Sequence, residues 1–263
     1  MRLGIDTWSG YGLIDWPKVE ASGVSFAWIR ATGAVGTGGV DSQAAASTRN
    51  VRQTSIAAGP YHVFHHAQDP TKSAEACFRA VDGLGSALGD LPPVLDAEIP
   101  GIATIKPIAS QVVTALERHV EAFEARFMNT PVIYGYKFWF DALGEALAKS
   151  STLGRCVLWI AAYPRLEPWT PHLAKARLPP VPKPWREALV WQYSAEHSVP
   201  VPGVGSPMCR TPHASPCQLV DRNVFLGDDA AWRALRGLDA PAVSESSGGI
   251  VRPAVPLGRP ALD

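Results

Sequence analysis

The chain has 263 residues, 46% of them hydrophobic, and its 24 basic side chains are balanced by 24 acidic ones. A formal net charge of zero gives no long-range attraction to nucleic acid or to an anionic membrane surface, so neither is expected as a partner. No run approaches the roughly 18 apolar residues of a membrane span, and MRLGIDTWSG lacks the uninterrupted apolar stretch of a secretory signal.

Short β-type runs alternate with helical patterns along the first half. LGIDTW (3–8) is followed by IDWPKVEASG, where Asp15 is placed to cap a helix, Pro17 sits in its first turn and Gly23 stops it. SFAWIRAT (25–32) precedes a helical pattern over 41–54, and AAGPYHVFH (57–65) precedes one over 70–88. PPVLDAE (92–98) leads to the clearest helix, 107–127, with Val112, Leu116, Val120, Phe123 and Phe127 on one stripe. TPVIYGY (130–136) precedes a shorter helix at 138–149, then come CVLWIAAY (156–163), ALVWQYS (188–194) and QLVDRNVF (218–225). Several of these eight strands are nearly continuous apolar runs, as expected where a parallel sheet is covered on both faces.

The alternation then fails. Residues 164–187 hold seven prolines, which no crossover helix tolerates, and 195–217 is equally irregular. The expected architecture is therefore α/β, an eight-stranded (β/α) barrel with helices missing in the C-terminal half. DDAAWRALRGL (228–238) reads as a closing helix, giving a domain over 1–238. Residues 239–263, rich in Pro, Gly and Ser without periodicity, read as a tail with little fixed structure. Cys77 and Cys156 lie in apolar surroundings and read as buried thiols. Cys209 and Cys217 flank His213 and admit three readings: a local disulfide, free thiols or a metal site.

Barrels built from parallel strands collect function at the C-terminal strand ends. Those ends carry Asp6, Tyr61, His62, Asp96, Glu98, Tyr134, Tyr136, Trp159, Tyr163, Gln192, Tyr193, Asp221 and Asn223. Polar strand ends are ordinary where they meet solvent, but solvent does not favour this many Tyr and Trp. A rim of acids and aromatics suits a sugar polymer, with rings on pyranose faces and carboxylates for acid/base work. Glycosidic cleavage needs two carboxyl groups in different protonation states. Asp96 and Glu98, spaced i, i+2, leave one strand end on the same face and supply such a pair. A hard cation is the competing occupant, but no Asx/Gly-rich calcium-type loop is present, and neither metal nor organic cofactor is expected.

GIDTWSGYGLIDWPKVEASGVSFAWIRAT, GPYHVFHH, LPPVLDAE, VIYGY, LWIAAY, VWQYS and VDRNVF resemble, in this order, the motifs of glycoside hydrolase family 25 over roughly residues 3–226. The resemblance implies a flattened eight-stranded barrel and a lysozyme that cuts the β-1,4 bond between N-acetylmuramic acid and N-acetylglucosamine in bacterial peptidoglycan. It assigns the catalytic acid to Glu98, its paired acid to Asp96, and supporting acids to Asp6 and Asp221. It assigns sugar-lining positions to Tyr61, Tyr134, Trp159, Tyr163 and Trp191. Asp96 is expected to stay ionised beside a protonated Glu98. The chain departs from the family where Gly33-Ala34 follows Arg-Ala-Thr and where Val63 replaces the usual Phe after Tyr-His.

Two other functions fit the same residues: a non-hydrolytic wall-binding barrel and a chitinase-like hydrolase. The expected chain is a soluble monomer made in the cytoplasm without a signal peptide, reaching the wall after release, as endolysins do, or by specialised export. Deleting residues 240–263 is expected to leave wall lysis and melting temperature nearly unchanged, because the segment has few large apolar groups to bury. A fall of many degrees in melting temperature would contradict it.

Overall fold

A computed structural model describes residues 1–33, 39–82, 90–98, 101–163, 178–194, 201–204 and 220–238. Eight strands close into one barrel: β1 (Arg2–Thr7), β2 (Val24–Thr32), β3 (Ala57–Val63), β4 (Val94–Asp96), β5 (Val132–Tyr136), β6 (Leu158–Ala161), β7 (Val190–Ser194) and β8 (Asp221–Phe225). Each pairs with its sequence neighbours, and β8 returns to β1. The helices are α1 (Trp16–Ala21), α2 (Ala44–Val51), α3 (Pro70–Asp82), α4 (Ile102–Ile105), α5 (Ala109–Phe127), α6 (Lys137–Ala148), α7 (Ser151–Gly154) and α8 (Asp229–Leu235). Among the described residues no helix lies between β6 and β8, as the proline-rich sequence implies. The stretches 164–177, 195–200 and 205–219, the pair Cys209 and Cys217, and the 239–263 tail lie outside the described residues.

One expectation is corrected. A uniformly parallel barrel is not what forms, because β8 runs antiparallel to both β1 and β7. Asp221 therefore stands at the start of its strand, not near its end. Its rim position survives because reversing the strand brings Asp221 opposite Asp6 in the β1–β8 register.

Side-chain alternation divides the core in two. Odd and even positions of a strand face opposite sides. Ile5, Ala27, Ile29, Ala58, Leu95, Ile133, Ile160, Trp191 and Val224 face outward and pack under the helices. Helix α5 supplies Val112, Leu116, Val120 and Phe123 to that layer, all fully buried, from the stripe legible in the sequence. Short α1 begins as expected, with the Asp15 carboxylate accepting from the Lys18 backbone N–H and Pro17 in the first turn.

Phe26, Trp28, Tyr61, Val94, Val132, Tyr134, Trp159, Val190 and Phe225 point inward. Trp28 stacks on Trp159 at 4.6 Å between centroids, and Phe26 meets Trp232 of α8 at 5.7 Å. Trp232 and Leu235 stop the end of the barrel opposite the acid-bearing rim, so the interior is packed and not a pore. Close packing leaves no room beside Gly4, where an added Cβ would lie 2.2 Å from the Phe26 ring. Gly4→Ala is expected to cost about 1–3 kcal/mol, read as a lower denaturation midpoint. An unchanged midpoint would contradict this account of the plug.

Candidate active site

Three strands bring the acids together. Alternation puts Asp6 on the inward face of β1 with Gly4, and Asp96 on the inward face of β4 with Val94. Ala97 donates its N–H to the Tyr134 carbonyl at 2.8 Å, so the extended pairing continues past β4 and carries Glu98 to the same side. Asp221 joins across the β1–β8 register. Asp6 and Asp96 are buried at 8% and 7% exposure, while Glu98 and Asp221 are partly open.

Asp6 sits in a hydrogen-bonded framework. Its Oδ2 accepts from Gln192 Nε2 at 3.0 Å and Asn223 Nδ2 at 2.8 Å. The Gln192 carbonyl oxygen accepts from the Tyr134 and Tyr163 hydroxyls, both at 2.7 Å, and Trp159 Nε1 donates to Asn223 Oδ1 at 2.9 Å. Donors converging on one carboxylate lock its orientation.

Asp96 and Glu98 differ from it. Asp96 Oδ1 and Glu98 Oε2 are buried without a hydrogen-bond partner. Orphaned buried oxygens cost free energy in a folded protein and mark positions where a ligand or proton completes the set. Burial pushes Asp96 well above the usual carboxylate range, with the Glu98, Asp6 and Asp221 charges adding to the rise. Burial, then the Asp6 charge, pushes Glu98 up to about 7, while the Arg30 guanidinium opposes both shifts. Burial thus works against the expected ionised Asp96: the desolvated pair resists carrying two charges, and it titrates as a unit.

The raised acids tie stability to pH. A carboxyl whose proton is held more tightly in the folded state lowers stability as pH rises from its unfolded value, near 4.5, through about 7. Glu98→Gln removes that loss. The variant is expected to melt higher than wild type at pH 8, by up to an order of 3 kcal/mol in stability, and to match it near pH 4. Equal melting at both pH values would contradict the raised pKa.

The predicted aromatics divide. Tyr61 and Tyr134 line the interior beneath the acids, and Tyr163 stands at the rim, 40% exposed. Trp159 faces inward but is 2% exposed, stacked on Trp28 and tied to Asn223, so it forms the floor. Trp191 does not join them. It occupies the outward face of β7, packs in the helix-side core and donates to the Ala162 carbonyl at 2.8 Å. Its neighbour Gln192 holds the inward position. Gln192 and Asn223, legible in the sequence as strand-end residues without a role, hold Asp6, and Arg30 joins them from outside that strand-end set. Arg30 follows Phe26 and Trp28 on the inward face of β2, bonds the Gly33 carbonyl, and lies 5.8 Å from the Trp8 ring centroid. A charged residue inside the apolar run FAWIRAT was the available signal. Among the described residues no group of three or more His, Cys, Asp or Glu is arranged to hold a metal ion.

A closed eight-stranded barrel with a desolvated carboxyl pair and aromatic walls at one rim defines a glycoside hydrolase. The profile of glycosyl hydrolases family 25 matches residues 5–202, and the chain belongs to that family. It is 28% identical over 236 residues to Lysozyme M1 of Streptomyces globisporus, covering 88% of this chain and 70% of that one. An autolytic lysozyme of Clostridium acetobutylicum is 30% identical over 164 residues, 61% of this chain and 44% of the other. The crystal structure of the bacterial lysozyme from Streptomyces coelicolor superposes with a TM-score of 0.66 at 26% identity, covering 91% of this chain and 98% of that one.

Proposed function

We propose that the chain is an N-acetylmuramidase that hydrolyses the β-1,4 bond between N-acetylmuramic acid and N-acetylglucosamine in bacterial peptidoglycan. Family membership and the lysozyme relatives support the substrate. The observation that carries the mechanism is the buried Asp96–Glu98 pair, each with an unpartnered oxygen, beside a hydrogen-bonded Asp6.

Glu98, poised near neutrality, gives its proton to the departing glycosidic oxygen and then takes one from the incoming water. As positive charge develops on the sugar, it favours the ionised form of Asp96, which faces it from the same strand end. Asp6 and Asp221 add negative potential, and the framework through Gln192 and Asn223 keeps Asp6 fixed. Arg30 limits how far the cluster's protons are held. Tyr61, Tyr134 and Tyr163 line the sugar path. All these groups come from one chain, so a monomer suffices.

A wall-binding barrel without activity is not favoured, since binding needs no desolvated acid near pKa 7. A chitinase-like specificity is not favoured by the lysozyme relatives. The wall is the site of action, reached after release in the manner of an endolysin or by specialised export. No helix among the described residues is long and apolar enough to cross a membrane. Incubation with purified cell walls tests the proposal. Clearing of turbidity with release of soluble muropeptides is expected; protein that binds walls without clearing them would overturn it.

A further inference from the structure

We infer that Phe138 and Tyr136 form a stacked platform that binds one pyranose ring of the glycan chain outside the two rings joined by the scissile bond. The inference rests on the muramidase function proposed above. The first turn of α6 follows directly on the rim end of β5 and carries Phe138. The helix anchors itself through Trp139, Phe140, Leu143 and Leu147, all buried, so it has no packing use for Phe138. Phe138 is 55% exposed and belongs to neither core layer. Its ring instead lies nearly parallel to Tyr136, with centroids 4.9 Å apart and planes 16° apart.

Tyr136 is held from the other side. Its ring meets Tyr163 edge-on at 5.9 Å, and the two hydroxyls are 3.1 Å apart. Tyr163 donates its proton to Gln192, so Tyr136 is the donor between the two tyrosines, and the chain ends on Asp6. Burial raises the Tyr136 pKa and the Glu98 charge adds to the rise, which puts this ring within electrostatic reach of the acid pair. One face of Phe138 is thus backed by a ring wired into the catalytic framework, while the residue stays more than half exposed. An exposed, rigid aromatic face matches the axial C–H face of a pyranose, which is apolar, whereas it offers nothing to an anionic or purely polar ligand. Fixing the ring in advance lowers the ordering cost of binding.

The test compares wild type, Phe138→Ala and Phe138→Tyr on peptide-free glycan strands of graded length. Phe138→Ala is expected to raise KM about fivefold to tenfold on long strands, with the loss confined to KM and at most twofold on the shortest cleavable strand. Phe138→Tyr, which keeps the ring, should stay within about twofold of wild type on every strand. Equal KM for wild type and Phe138→Ala at all lengths overturns the platform alone. A loss that falls equally on the shortest strand and on kcat also overturns it, since that pattern marks a structural defect. A wild-type protein inactive on every strand overturns the muramidase function and the platform with it.

Discussion

Glu98→Gln should lose on the order of a thousandfold or more in turnover, about 4 kcal/mol of transition-state stabilisation, while remaining fully folded. The amide has nearly the shape of the acid but no proton to give. Glu98 is the only partly open member of the Asp96–Glu98 pair, so its carboxyl is the one that can reach a bound sugar with a proton. The fold should not suffer, because Glu98 Oε2 bonds nothing in the unliganded protein and charge removal relieves a desolvated group. Rates on solubilised peptidoglycan, with circular dichroism as the folding control, check both halves. Near wild-type turnover would remove Glu98 from the chemistry.

Asp96→Asn should also be severely impaired, by on the order of a hundredfold or more, but with a different signature. It keeps the proton donor and deletes the neighbouring charge. In the wild type, the pair's second proton is lost late because the first charge opposes the second. In the Asp96→Asn variant, Glu98 titrates alone and gives up its proton at lower pH. Activity that requires protonated Glu98 is therefore lost earlier as pH rises: the alkaline limb of the pH–rate profile moves down, and the residual optimum moves with it. An unmoved alkaline limb would mean that the two carboxyls do not share a titration. Glu98→Gln has no such limb to move, so the two variants separate proton donation from charge.

Much of the site was legible because strand periodicity is strict. Asp96 and Glu98 at i, i+2 had to leave one strand end on one face, and they do. Asn223, two beyond Asp221, is legible at the rim by the same rule but not as a partner of Asp6, and Arg30, two beyond Trp28, obeys the rule too but reads as a break in an apolar run. Trp191 failed by parity. In VWQYS either Trp191 or Gln192 faces the interior, never both, and the large ring went outward to cover the sheet. The direction of β8 was not legible, because an apolar strand reads the same in either sense and only its connection decides. Asp221 reached the rim regardless, by register with Asp6. The upward push on the Asp96 pKa was out of reach of sequence, since it depends on how far three strands bury a carboxyl among other acids. Phe138 carries no signal of its own in the sequence, and only the burial of its neighbours Trp139 and Phe140 sets it apart.

The sugar left at each new reducing end reveals which glycosidic bond is cut. Digested peptidoglycan is reduced with borohydride, hydrolysed and assayed for the two possible hexosaminitols. The account predicts that the reduced sugar is muramitol, appearing in step with loss of turbidity and absent with Glu98→Gln. Glucosaminitol in its place, or no reduced hexosamine while walls still clear, would contradict a muramidase built on Asp96 and Glu98.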